Sequence, residues 1–407
     1  MSALALGSAT SGLLAYVFFA IVTRALGATA AAPVSVLWTY WSFAGAALTF
    51  PLQHWAARSV AAHEGEGAVR QALAGLVATS AVLAVVTTAV SWLVRNPLFH
   101  SSTDPGASWF PLLVGGVTLG SAAMGLVRGV LSARHRFGMV AAGLFAENAV
   151  RCLVAVALVV GGVHAAVAYG LALLAGYVVA AQPSAYRLSR AGHGPRESPL
   201  AFIGGAAGGQ LLGQTVLTGG PVVLALAGGA PAQVTALFAA LALFRAPYTL
   251  AIGVVAQVTG GLTRLVVERR VEVLRRIRNG IILVTVAGSA GAAAVGLLIG
   301  RWALRLVFGS DVELGRGLLL VVAVGSTLAI ANLLVTLMVL AHGRAPRLVV
   351  SWVIALVPGA LCVALPGVGA TTRTCGAFGV VEAVAFGLLV VAVARSAAAL
   401  DRGDEDR

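Results

Sequence analysis

Glu147 and Arg151 stand four residues apart in Glu147-Asn148-Ala149-Val150-Arg151, inside an otherwise apolar stretch. That spacing puts both on one helix face with the acid N-terminal to the base, the better order for an ion pair. Two chemistries follow: the pair neutralises itself and orients a helix, or Glu147 takes up and releases a proton or cation. Arg245 lies in Leu243-Phe244-Arg245-Ala246-Pro247-Tyr248, far from any acid in the sequence. A guanidinium offers a flat fork of donors that matches two oxygens of a phosphate. Arg245 therefore faces a wet cavity, an anionic ligand, or an acid on another helix, Glu147 or Glu382. Pro247 removes one backbone N–H and weakens the helix beside Arg245, which makes it a candidate hinge. Glu382 has no local partner, and either pairs with a neighbouring helix or couples to an ion.

Other polar residues are ambiguous in the same way. Arg24 closes an apolar run in Thr23-Arg24-Ala25-Leu26-Gly27 and is an interfacial anchor or a basic group turned into a cavity. Gln210 and Gln214, one turn apart after a glycine-rich start, line a cavity or hold two helices together. Trp41 belongs to a cluster with Trp38, Tyr40 and Trp55 that reads as an interface belt. It could also stack on a sugar.

The elements carrying these residues must be membrane helices. Of 407 residues, 59% are hydrophobic and 10% charged, with a mean hydropathy of +0.96. A soluble domain carries roughly 25% charged residues, and a bilayer-crossing helix takes about 20 apolar ones. Apolar runs fall at about 3–23, 33–56, 71–94, 107–131, 139–161, 164–186, 200–228, 231–258, 279–300, 316–341, 347–368 and 376–397. Runs such as Val154-Ala155-Val156-Ala157-Leu158-Val159-Val160 do not alternate as barrel strands do. Ala28-Thr29-Ala30-Ala31-Ala32 resembles a signal-peptidase site, yet no charged side chain precedes Arg24, so the first run reads as a retained span.

All 27 basic residues are arginine, the chain's net charge is +13, and the arginines lie mostly in short loops between spans, which argues for membrane orientation and against nucleic acid. Loops after even-numbered spans and the C-terminal tail hold 19 arginines, among them Arg128, Arg134 and Arg136; the opposite side holds six. The positive-inside rule then places both termini in the cytoplasm, in a bacterial plasma membrane.

The polar segment 187–199 separates an N-terminal bundle of six spans (1–186) from a C-terminal one (200–397), followed by a cytoplasmic tail (398–407). The halves also align. Leu26 to Trp38 matches Leu226 to Phe238 without gaps, and Val130-Leu131-Ser132-Ala133 matches Val339-Leu340-Ala341-His342. The fold expected is an all-α integral membrane protein of about 12 transmembrane helices in two parallel six-helix bundles around a central cavity, a transporter architecture.

Several activities have no support. Without a single Lys there is no phosphate-binding Gly-x-x-x-x-Gly-Lys-Ser/Thr loop, so ATP is not the direct drive. No Cys or His cluster has metal-ligand spacing, and no cofactor is called for. Cys362 and Cys375 read as small packing thiols. A membrane enzyme would need a large outward loop or an acidic catalytic site, whereas the longest outward loops carry only Asp104, or Asp311 with Glu313.

Six-plus-six spans, Thr23-Arg24-x-Leu26-Gly27 closing the first span, and a mid-membrane Arg245 near Pro247 resemble the polysaccharide-biosynthesis branch of the multidrug/oligosaccharidyl-lipid/polysaccharide exporter superfamily. Trp302-Ala303-Leu304-Arg305-Leu306-Val307-Phe308-Gly309 and the stretch Leu333 to Arg347 are similar to that branch too. The resemblance implies a flippase that moves a polyprenyl-diphosphate-linked oligosaccharide between leaflets through a basic cavity lined by spans 1, 2, 7 and 8. Arg24, Gln210, Gln214 and Arg245 fall on those spans. Membrane potential, an ion gradient or removal of product would drive it. The partners implied are the lipid-linked glycan and membrane lipids. Two alternatives stand beside it: a cation-coupled multidrug exporter using Glu147, and a non-transporting scaffold for glycan-assembly enzymes.

Overall fold

The computed structural model describes residues 2–62, 64–100, 105–190 and 208–402. Every regular element among them is helical. In the first half, α1 (Ser2–Ala30) leads through a break at Gly27 into α2 (Ala32–Ala44), a π turn and α3 (Phe50–Ala62). Then follow α4 (Gly67–Leu93), the short α5 (Arg95–Phe99), α6 (Phe110–Ala133), α7 (Phe137–Val160), α8 (Ala166–Ala175), a 3-10 turn at Gly176–Ala180, and α9 (Pro183–Tyr186). The second half comprises α10 (Gly208–Leu226), α11 (Pro231–Val267), α12 (Val271–Leu298), the short α13 (Gly300–Phe308), α14 (Arg316–Ala341), α15 (Ala345–Ala364) and α16 (Ala370–Arg402).

Eight of these helices are long and apolar enough to cross a membrane. The other four expected spans exist in altered form. The run 33–56 is split by the π turn Gly45–Thr49, just ahead of Pro51, which has no N–H to give the ladder. The run 164–186 is a ten-residue helix tightened into the 3-10 turn. The run 200–228 is described from Gly208 onward, and 231–258 lies within the 37-residue α11. At 1.5 Å per residue α11 is about 55 Å long, well beyond a hydrocarbon core of about 30 Å. The loop expected between spans 8 and 9 is consequently almost all helix, with only 268–270 between α11 and α12. Its arginines, leucines and valines extend the helices outside the apolar zone instead of ending them.

Each half packs around a central helix. In the first, α6 is the central helix and packs on α2, α3 and α4, while α1 packs on α7. In the second, α14 packs on α12 and α16, and α15 packs on α16. Helices α4 and α12 are apolar yet bury little, with Val85 68% and Leu283 71% exposed. Only a lipid solvent accepts such a surface.

The two halves also correspond in the backbone. Among the described residues ten have positive φ, and they fall into five pairs at matching turns: Gly27 and Gly228, Glu64 and Arg269, His100 and Gly309, His135 and Gly343, Gly162 and Gly367. Left-handed backbone is costly for a residue with a Cβ. Four of the ten are nevertheless Glu, His, His and Arg, so the turn geometry is retained even where glycine is not.

The chain divides into two compact units, residues 1–214 with 228–235, and 215–227 with 236–407. The division runs through α10 and α11 instead of falling in the polar segment 187–199, because the turn joining them packs with the first unit. There Thr235 Oγ1 accepts from Ser35 Oγ at 3.4 Å, and these two residues occupy the same place in the repeat.

Candidate functional site

Each unit contains its own buried charged group. In the first unit the close approach of α3 and α6 sets the frame. Gly125 and Gly129 present bare backbone to α3, where an added Cβ would come within 2.7 Å of Thr49 O and 2.8 Å of Gln53 O. This is a small-xxx-small contact of the kind that brings membrane helices together. It fixes α6 so that Arg128 points inward, toward α7.

Glu147 on α7 accepts from two guanidinia: Arg151 Nη2 at 2.6 Å to Oε1, and Arg128 Nη2 to Oε2. All three side chains are buried, and Arg151 is wholly so. Arg151 is held on every side. Its Nε donates to Leu173 O at 2.8 Å, its Nη1 to Asn148 Oδ1 at 3.0 Å, and Asn148 Nδ2 in turn donates to Ser11 Oγ at 2.8 Å. The guanidinium lies 4.5 Å from the ring centroid of Trp41 and 5.6 Å from that of Tyr177, a cation–π sandwich. The Tyr177 and Ser121 hydroxyls share a hydrogen bond of 2.7 Å. Gly176 makes room for this arrangement, since a Cβ there would meet Arg151 Nε at 2.5 Å. The group carries one negative and two positive charges, and Arg128 Nε has no hydrogen-bond partner among the described residues.

The second unit holds Glu382 on α16, 1% exposed, which accepts from Asn332 Nδ2 of α14 at 2.7 Å. The same Nδ2 reaches the Glu382 carbonyl at 3.0 Å, while Glu382 Oε1 has no hydrogen-bond partner among the described residues. Arg245, half-buried on α11, is close enough for its charge to act on this carboxylate. Pro247 sits exposed inside the unbroken helix α11.

The expected pairing of Glu147 with Arg151 is present, but Arg128 enters as a third member. That corrects its assignment to a loop: Arg128 is in α6, more than a turn before its end, and is buried. Counting it inside leaves 18 arginines against six for orientation. Its position within Leu126-Val127-Arg128-Gly129-Val130-Leu131 was the available signal, because an apolar run continues on both sides. One face of Trp41 is covered by Arg151. Of the two acids open to Arg245, Glu382 is the neighbour, and Glu147 is fully engaged in the other unit. Arg24 is exposed three residues before the break at Gly27. Gln214 is half-buried on α10; the side chain of Gln210 lies outside the described residues. Among the described residues no group of three His, Cys, Asp or Glu could hold a metal ion.

Where α3 gives way to α4 and α6 to α7, Glu66 accepts from Arg134 Nε at 2.5 Å and Nη2 at 3.0 Å, and from the Ser189 N–H at 2.7 Å. Arg134 also donates to the carbonyls of Ser184 and Arg187. The hydrogen bond from Arg134 keeps the Glu66 carboxyl below its ordinary range. The start of the polar segment is thus pinned to the α6–α7 turn.

No family profile and no curated protein sequence matches the chain. Solved structures do. An inward-facing multidrug resistance MATE family transporter of the MOP superfamily aligns over 96% of both chains with a TM-score of 0.71 at 17% identity. A MATE transporter in complex with MaD3S aligns over 98% of this chain and 95% of its own, at a TM-score of 0.61 and 16% identity. The fold is that of the MATE transporters. A further match is a MOP superfamily transporter from Pyrococcus furiosus, described as having a binding pocket of reversed polarity that suggests a different function. It covers 98% of this chain and 96% of its own, at a TM-score of 0.58 and 16% identity. The expected all-α multi-pass membrane fold is therefore the observed one.

Proposed function

We propose that the protein is a flippase that moves a polyprenyl-diphosphate-linked oligosaccharide, a cell-surface polysaccharide precursor, across the plasma membrane by alternating access. The observation that carries this reading is the state of Glu147. Cation-coupled export in the N-terminal half needs an acid open to an ion, and Glu147 is closed by two arginines. The buried charge of that half is net positive. A second arginine, Arg245, sits half-buried about 21 Å along α11, and a guanidinium suits an anionic headgroup. The Pyrococcus furiosus transporter of similar fold is described as having a binding pocket of reversed polarity that suggests a different function, which is consistent with a cargo other than a cation.

In this reading Arg245 grips the diphosphate, and the lipid tail remains in the bilayer. Multidrug export by coupled cations is the second reading, and the buried Oε1 of Glu382, which has no hydrogen-bond partner among the described residues, is the feature that favours it. The functional experiment is transfer of a fluorescent polyprenyl-diphosphate glycan by the purified protein in liposomes.

We also place both termini in the cytoplasm, on the count of 18 arginines against six. Reporter fusions after Arg190 and at the C-terminus should both report cytoplasm; an external signal at either would overturn the orientation.

A further inference from the structure

Helix α13 has three faces. Gly300, Leu304 and Phe308 are buried against the unit; Trp302 and Leu306, one turn apart, are 64% and 54% exposed and point away from it. Between these faces stand Arg301 and Arg305, also one turn apart, which puts their Cβ atoms about 5–6 Å from each other. The preceding end of α12 is apolar and bare, with Leu298 82% exposed, so this flank of the unit is bathed in lipid. A short helix with an arginine face, an outward apolar face and a bundle face lies at the lipid–water boundary, with its aromatic ring at headgroup level.

The two guanidinia share one carboxylate. Arg301 Nη2 donates to Glu313 Oε2 at 3.2 Å, and Arg305 Nη2 donates to Glu313 Oε1. All three side chains remain nearly half exposed. Each guanidinium has five N–H donors, so most of the fork faces outward. With Arg316 and Asp311 close in sequence, the patch carries one net positive charge. The equivalent helix of the first unit lacks such a pair, because Arg95 gives its Nη1 to Trp92 O at 2.9 Å and lies 5.1 Å from the Trp92 ring centroid.

We propose that Arg301 and Arg305, with Trp302 and Leu306 beside them, form a seat for the phosphate of an anionic phospholipid, and that Glu313 holds the two forks in register until the lipid arrives. The site is independent of the transported cargo. It anchors the second unit at one membrane surface through a headgroup contact.

The test is native mass spectrometry of the purified full chain titrated with phosphatidylglycerol or phosphatidylcholine. At about 1 kcal/mol per arginine near a membrane surface, the tightest-bound phosphatidylglycerol should hold about tenfold to thirtyfold better than phosphatidylcholine. Arg301→Gln with Arg305→Gln should erase that preference, and the paired Arg→Lys variant should keep part of it. Glu313→Gln should tighten phosphatidylglycerol by severalfold, because a competing carboxylate is gone. A preference that survives the double Gln variant would overturn the seat and leave the three residues as a loop staple. Displacement of the lipid by inorganic phosphate at matched concentration would equally overturn it, since the site would then select an ion and not a membrane lipid.

Discussion

Glu147→Gln should cost the first unit about 3–5 kcal/mol, the usual penalty for removing one partner of a buried ion pair, and should sharply lower the amount of folded protein in the membrane. The reason is arithmetic of charge. Glu147 is the sole counter-ion that Arg128 and Arg151 contact among the described residues, and both guanidinia are sealed from water. Neutralising it leaves two cations in the core with no carboxylate. Arg128→Gln should be far milder, because it leaves a complete Glu147–Arg151 pair still supported by Leu173 O, Asn148 and the Trp41 ring. Thermal unfolding of the purified variants in detergent, with membrane abundance measured in parallel, checks the ordering. If Glu147→Gln is as stable as the parent but transports nothing, the acid is a coupling group and the exporter reading gains.

Arg245→Ala should reduce flipping on the order of 100-fold while leaving the protein folded and inserted. Each hydrogen bond to a charged group is worth about 1.5–3 kcal/mol, and a forked contact with a diphosphate makes two. Arg245→Lys keeps the charge and loses the fork, so a partial rate should remain. The competing account makes Arg245 only the counter-charge of Glu382. It predicts that Glu382→Gln restores an Arg245→Ala variant, because the buried acid would no longer need compensation. Leaflet-transfer rates for the two single variants and the double variant separate the accounts. A normal rate for Arg245→Ala at normal abundance would remove Arg245 from the site.

The spans were legible because an apolar run of about 20 residues between arginines has few other meanings. Helix α14 falls at the expected 316–341. What composition hides is local backbone choice. Pro51 marks a weak point behind the π turn at Gly45–Thr49, but the form of that turn and the tightened end of α8 depend on how those segments seat against α6 and α7. The buried charges divide in the same way. Glu147 with Arg151 is a sequence-local pair and could be read from spacing. Arg128, Tyr177 and Ser11 come from other helices, so only packing brings them to that pair. Arg128 lies near a loop in sequence, but the apolar run on both sides of it is the signal of its burial. For Arg245 the sequence left two acids open, and only the division into units separates Glu382 from Glu147.

The central claim is about cargo, and one measurement addresses it most directly. The purified protein is reconstituted into liposomes carrying a fluorescent polyprenyl-diphosphate oligosaccharide, and transfer between leaflets is followed with a membrane-impermeant quencher. A parallel set carries a cationic dye with a sodium or proton gradient imposed. The account predicts that the glycolipid crosses at a rate well above protein-free liposomes and that the dye stays where it was loaded. Gradient-driven movement of the dye, with the glycolipid confined to its original leaflet, would contradict it.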